Sequence, residues 1–231
     1  MASMRFLAGT AVAGLSAAAL AQVAAPPAAP QAAPAPPPAK MSFFVTSVGI
    51  GDGGNLGGLA GADAHCTKLA ATAGRGDVKW VAYLSTQGAG AVHARDRIGA
   101  GPWHNAKGQL IGRSVGDLHG DTIEQARAGV ILGRTFSLDE QGRQVNGVGD
   151  TPNRHDILTG SGTDGRSFPA GADKTCANWT SNDAGSAQVG HHDKQGGGGG
   201  SWNSQHASRS CSLPGFVATG GAGLLYCFAP G

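Results

Sequence analysis

The chain has 231 residues, 40% hydrophobic and 14% charged, a balance that excludes a polyelectrolyte or an acidic disordered chain. Glycine fills 40 positions without a Gly-X-Y period, which excludes collagen and calls for much loop and turn. Seventeen Lys and Arg against 15 Asp and Glu leave a formal charge of +2, too little for a nucleic-acid binder that works by neutralising phosphates.

Residues 1–21 have the three parts of a secretory signal. Arg5 supplies the positive start, Phe6 to Ala18 the apolar stretch, and Ala19-Leu20-Ala21 a small-x-small cleavage site. Residues 22–40 are nearly all Ala and Pro, including Pro26-Pro27 and Pro36-Pro37-Pro38, and predict an extended spacer. The working domain is then 41–231. No apolar run in it reaches the length of a membrane-spanning helix. The signal assigns the protein to a secreted, periplasmic or cell-surface location, and its Ala/Gly-rich composition suggests a bacterial source.

Ser42 to Ile50 is strand-like and ends in a Gly-rich turn. Leu59 to Ala73 is the clearest helix, with Ala62, Cys66, Leu69 and Ala70 on one face and Gly74 as its stop. Val78 to Ser85 is a strand apolar on both faces and so is expected to be central. From Gln87 to Asn153 turns dominate, separating short apolar pieces such as Gln109–Ile111 and Val130–Leu132. Arg134 to Val145 reads as two short strands around Asp139–Gly142. Ile157–Gly160 leads into a second turn cluster, Ser161–Gly165. Five consecutive glycines, Gly196–Gly200, predict a mobile loop, and Leu224–Phe228 a terminal strand. Together these elements imply an α+β domain rich in loops.

The four cysteines, Cys66, Cys176, Cys211 and Cys227, form no CxxC pair, and an even count in an exported chain favours two disulfides. Three pairings are open. One of them, Cys66–Cys227 around Cys176–Cys211, would tie the ends of the domain together, with loop-closure contributions of about 5 and about 4 kcal/mol.

The order of these pieces resembles the C-type lectin-like fold, and more narrowly its endostatin-like branch and secreted bacterial lectin-like proteins. The matching segments are Leu59 to Cys66, Ala82-Tyr-Leu-Ser85, Arg95-Asp-Arg97, Thr135-Phe-Ser-Leu138, Gly160 to Arg166, Thr175-Cys-Ala-Asn-Trp179 and Leu225-Tyr-Cys-Phe228. The resemblance implies the nested disulfide pairing and a non-catalytic carbohydrate-binding module, with glycans or cell-surface polysaccharide as partners. A protein- or acidic-polysaccharide-binding adhesion domain is the alternative on the same fold.

Calcium-dependent sugar binders of this fold use Glu-Pro-Asn or Gln-Pro-Asp and Trp-Asn-Asp triplets, because calcium takes six to eight oxygen ligands. Here only Thr151-Pro152-Asn153 and Trp202-Asn203-Ser204 stand in their place, lacking carboxylates. Calcium is therefore not required by this reading, and no other cofactor is. The candidate carbohydrate site is the set Trp179, Asn182, Asp183, His191, His192, Asp193, Trp202, Asn203 and His206, which offers planar hydrogen-bonding groups and aromatic faces. His191-His192-Asp193 has metal-ligand chemistry as well, but neighbouring histidines on an extended chain diverge, so a third ligand must come from elsewhere. His155-Asp156 reads as surface polarity. No hydrolase, metalloprotease, phosphate-loop or dinucleotide motif is present, which argues against an enzyme. Arg95, Arg97, Arg113, Arg134, Arg143 and Arg166 are the candidate basic face for an acidic partner.

Overall fold

A computed structural model of the chain describes Met1, residues 40–195 and residues 200–231. The expected export signal, nearly all of the spacer and most of the glycine run fall outside the described residues. The chain divides into two units at Pro36–Pro37, and everything from Lys40 onward belongs to the second.

That unit is α+β. Its strands are β1 (Phe43–Val45), β2 (Val81–Ala82), β3 (Trp103–His104), β4 (Leu110–Gly112), β5 (Asp156–Leu158), β6 (Gln188–His191), β7 (His206–Ala207) and β8 (Gly221–Phe228). The main sheet runs β1-β8-β5-β6-β7, with β2 also pairing with β8, and β3-β4 form a separate hairpin. Among the described strands, only β5 and β8 pair in parallel. The longest helix, α1 (Gly58–Thr72), buries Ala62, Cys66 and Ala70, the face expected from spacing, with Leu69 packed at its margin.

Strand periodicity builds a core on each side of the sheet. Phe44, Ala82, Leu84, Leu158, Leu225 and Cys227 face α1. Phe43, Val45, Val81, Tyr83, Ile157, Leu224, Tyr226 and Phe228 face Trp103, Ile111 and Trp202 on the opposite side. The segment around β2 is apolar on both faces, as expected, but pairs with β8 alone and is not a central strand.

The middle of the chain is more ordered than its turn-rich sequence suggests. Short helices α2 (Ala94–Arg97), α3 (Val115–His119) and α4 (Ile123–Ala128) lie there, and Thr122 with Gln125 forms a reciprocal N-terminal cap on α4. Around Asp139–Gly142 the two expected strands reduce to one bridge, Leu138 to Gln144. Both disulfides form in the nested arrangement, Cys66–Cys227 tying α1 to β8 and Cys176–Cys211 closing a separation of 35 residues.

The second disulfide anchors a rare backbone feature. Cys176, Ala177, Asn178 and Trp179 all have φ between 49° and 68°, one turn of left-handed helix without glycine. Each such residue costs about 1–2 kcal/mol. Side chains hold the turn in place. Asp173 accepts from the Thr175 and Ala177 N–H groups, and Asn178 accepts from Gln87 N while donating to Gln87 O. The Trp179 indole donates to Ser85 O at 2.8 Å. Ala177 is exposed, so Ala177→Gly removes strain without opening a cavity. We expect that variant to gain about 1 kcal/mol, a rise of about 2–4 °C in Tm. An unchanged or lowered Tm by calorimetry would show that the turn is not strained.

Candidate metal centre

The register of β5, β6 and β7 places three polar side chains on the α1 face of the sheet. Asp156 pairs with His191, and Val189 pairs with His206. Because side chains alternate, Asp156 and Leu158 share a face, as do Val189 and His191, and cross-strand partners project together. His155 joins from just before β5. On the other flank of Asp156 the β8 neighbour is Gly221, where a Cβ would come within 3.1 Å of the aspartate Cβ. Gly190 lets the two ends of the site approach, since a Cβ there would lie 1.9 Å from Trp202 O.

The result is a convergence of donor atoms. Asp156 Oδ1 lies 3.1 Å from His191 Nε2, 3.3 Å from His155 Nε2 and 3.5 Å from His206 Nε2. His191 Nε2 and His206 Nε2 are 3.0 Å apart. For metal–ligand bonds of about 2.0–2.2 Å, adjacent ligand atoms sit about 3–3.5 Å apart. His191, His206 and Asp156 form the tightest triangle, and His155, its ring stacked 3.9 Å from that of His191, closes the set from the side. Together, His155, Asp156 and His191 bring their ligand atoms within 4.8 Å of one another.

The outer contacts fix which ring nitrogen faces inward. His191 Nδ1 lies 2.6 Å from Gln195 O, and His206 Nδ1 lies 3.1 Å from Ala207 O. His155 Nδ1 is 3.5 Å from Asp193 Oδ1. With Nδ1 of His191 and His206 protonated toward the Gln195 and Ala207 carbonyls, each of their Nε2 atoms would turn a lone pair to the centre, as metal-bound histidines do. Burial pulls the His191 pKa down, but the contacts with Asp156 and Gln195 O raise it overall, so a proton on His191 competes with a metal for that place. Burial raises the Asp193 pKa, but His155 and the Val148 and Gln195 N–H groups outweigh it and hold Asp193 ionised.

Asp156 itself is 2% exposed, and neither carboxylate oxygen has a hydrogen-bond partner. A buried carboxylate among imidazole nitrogens costs several kcal/mol unless a metal ion or a proton on one of the rings neutralises it. Nitrogen-rich ligation with one carboxylate suits zinc and its first-row neighbours and is wrong for calcium. His206 is 37% exposed at its side chain, so the centre reaches solvent on that side.

Other expected site residues lie elsewhere. Trp179 and Trp202 are buried at 0% and 3% exposure, with both indoles hydrogen-bonded inward. Neither offers a face to a sugar, which corrects the stacking role expected of them. Asn203 is buried, its amide donating to Tyr83 Oη, Gly162 O and Thr163 O and its oxygen accepting from Ser201. It is therefore unavailable to calcium or glycan. Asn182 binds Asp52, and Asp183 accepts from Cys211 N beside the second disulfide. His192 is buried and turned to Asn146 O, as the divergence of adjacent histidines requires. Of the expected set, only His191, Asp193 and His206 share one site.

Two further expectations are corrected. His155-Asp156 is not surface polarity but the buried middle of the centre. The six arginines do not form an unpartnered basic face, because each meets an aspartate. The pairs are Arg95–Asp121, Arg97–Asp63, Arg113–Asp117, Arg134–Asp150, Arg143–Asp139 and Arg166–Asp164.

No protein-family model matches the chain, and no curated protein matches its sequence. The site therefore stands on its own geometry.

If a metal ion is what neutralises Asp156, the acid is a burden in metal-free protein. Asp156→Asn should then melt at or above the wild-type temperature in EDTA, since an amide can donate to a histidine Nε2. A loss of about 3–5 kcal/mol in EDTA, the cost of breaking a buried ion pair, would instead identify a protonated histidine as the partner.

Proposed function

We propose that this domain is an exported metal-binding module that holds a divalent first-row ion, zinc in the first instance, through His191, His206, Asp156 and His155. The observation that carries the reading is the buried Asp156 carboxylate, without a hydrogen-bond partner, among three imidazole nitrogens, with the opposite ring atoms of His191 and His206 directed at carbonyl oxygens. The two disulfides fit an oxidising compartment, and among the described residues no helix is long and apolar enough to cross a membrane. The α+β core with α1 tied to the last strand supports reading the fold as C-type lectin-like.

The partially exposed His206 favours one elaboration. A solvent-facing ion can accept an outside oxygen ligand, so the expected carbohydrate binding moves from the tryptophans to the ion, where sugar hydroxyls would complete its shell. The neutralised arginines weaken the alternative of an acidic-polysaccharide surface.

Zinc titration of chelator-treated protein should give one equivalent bound per chain. Zinc at about 100 times its Kd should stabilise the fold by about 2.7 kcal/mol, a Tm rise of about 5–10 °C. His206→Ala should abolish the shift, and Asp193→Asn should weaken zinc about 10–100-fold by releasing His155. A wild-type protein that binds no zinc, or a His206→Ala protein that binds it unchanged, would contradict the assignment.

A further inference from the structure

A second site lies next to the metal centre in sequence and does not depend on it. A groove of about 330 Å³ is lined by Val48, Leu213, Val217 and Pro152, with Ala222 and the core residue Leu224 beneath, within the size range of small-molecule sites. Val48 and Val217 are 52% and 60% exposed, two of the few large apolar side chains left in water. Glycine shapes the floor. A Cβ on Gly49 would lie 2.6 Å from Ala222 O, and one on Gly221 would meet Asp156 Cβ and Phe216 O. The missing side chains let the backbone segments under the groove pack against one another.

Its polar side chains are Arg154 and Asn153, and no acid lines it. The Asn153 oxygen is used, accepting from His155 N, which leaves its amide N–H groups to donate. Among the described residues Arg154 has no ion pair or hydrogen bond, in contrast to the six arginines paired with aspartates. The groove thus combines an aliphatic wall with side chains that can only donate. A sugar needs acceptors as well as donors and gains from an aromatic face, and this groove supplies neither from its side chains. A carboxylate accepts only, and a guanidinium matches it with two parallel bonds.

We propose that this groove binds a medium-chain aliphatic carboxylate, its chain along Val48, Leu213 and Val217 and its head group on Arg154 and Asn153. The probe is octanoate, titrated calorimetrically into the full chain both in EDTA and with zinc. Saturable binding is expected in both, strengthening about fourfold per added methylene from hexanoate to octanoate. Octanol should bind markedly more weakly. Arg154→Gln, which breaks no observed contact, should weaken octanoate about 10–100-fold with Tm unchanged, and Val217→Asp should weaken it without altering zinc binding. Equal affinity for octanol, unchanged affinity in Arg154→Gln, binding seen only with zinc, preferential binding of glucuronate, or no saturable binding by folded protein would each overturn the proposal.

Discussion

The pairing of β5 with β6 is the constraint from which the site follows. Because Asp156 is set opposite His191, a slip of one residue would turn either side chain to the other face of the sheet. The same register keeps Leu158 and Val189 in the core beneath α1, and Ile157 in the core on the other side. Packing therefore enforces the coordinates of the donor atoms. The close passage of Trp202 over Gly190 then returns the chain so that β7 can bring His206 alongside. Much of the energy that holds the centre together comes from side chains that never touch it.

Many of the charges in the domain are balanced locally. Arg97 clamps Asp63 with two bonds of 2.7 and 2.8 Å, and Arg95 holds Asp121, whose pKa is lowered chiefly by that hydrogen bond. Asp193, though buried, receives backbone N–H groups. Asp156 and Arg154 depart from this pattern, Arg154 together with the exposed Arg127 and Arg209. Among the described residues, one is a buried acid whose neighbours are imidazoles alone, and the other is a half-buried arginine with no ion pair or hydrogen bond. They lie two residues apart in the chain and belong to adjoining features, the metal centre and the groove.

Much of the scaffold is legible in the sequence. The 3.6-residue spacing of Ala62, Cys66 and Ala70, the apolar alternation of Leu224–Phe228 and the even cysteine count each act locally, or need only one long-range decision. The resemblance implied the correct cysteine pairing. The metal centre is different, because its four side chains come from three segments between positions 155 and 206 and meet through strand register. His155-Asp156 looked like surface polarity since nothing nearby in sequence shows that β5 lies between β8 and β6. A signal was present in His191-His192-Asp193, which offered ligands and required others from elsewhere, but it could not name them.

The sequence leaves the tryptophans open between core and sugar site for a related reason. Aromatic and amide side chains near glycine make a sugar site and a sealed core look alike in composition. Only the direction of the indole N–H, from Trp179 to Ser85 O and from Trp202 to Leu118 O, separates the two. The basic face dissolves likewise, because three of the six arginines meet aspartates 16 to 34 residues away and the other three pair with an aspartate within four residues.

The most direct test is anomalous diffraction at the zinc absorption edge from crystals of the zinc-treated protein. The account predicts one peak per chain, about 2.0–2.2 Å from His191 Nε2, His206 Nε2 and an Asp156 carboxylate oxygen, with His155 Nε2 completing the set. A map without a peak among these side chains, and with Asp156 hydrogen-bonded to a protonated histidine, would contradict it.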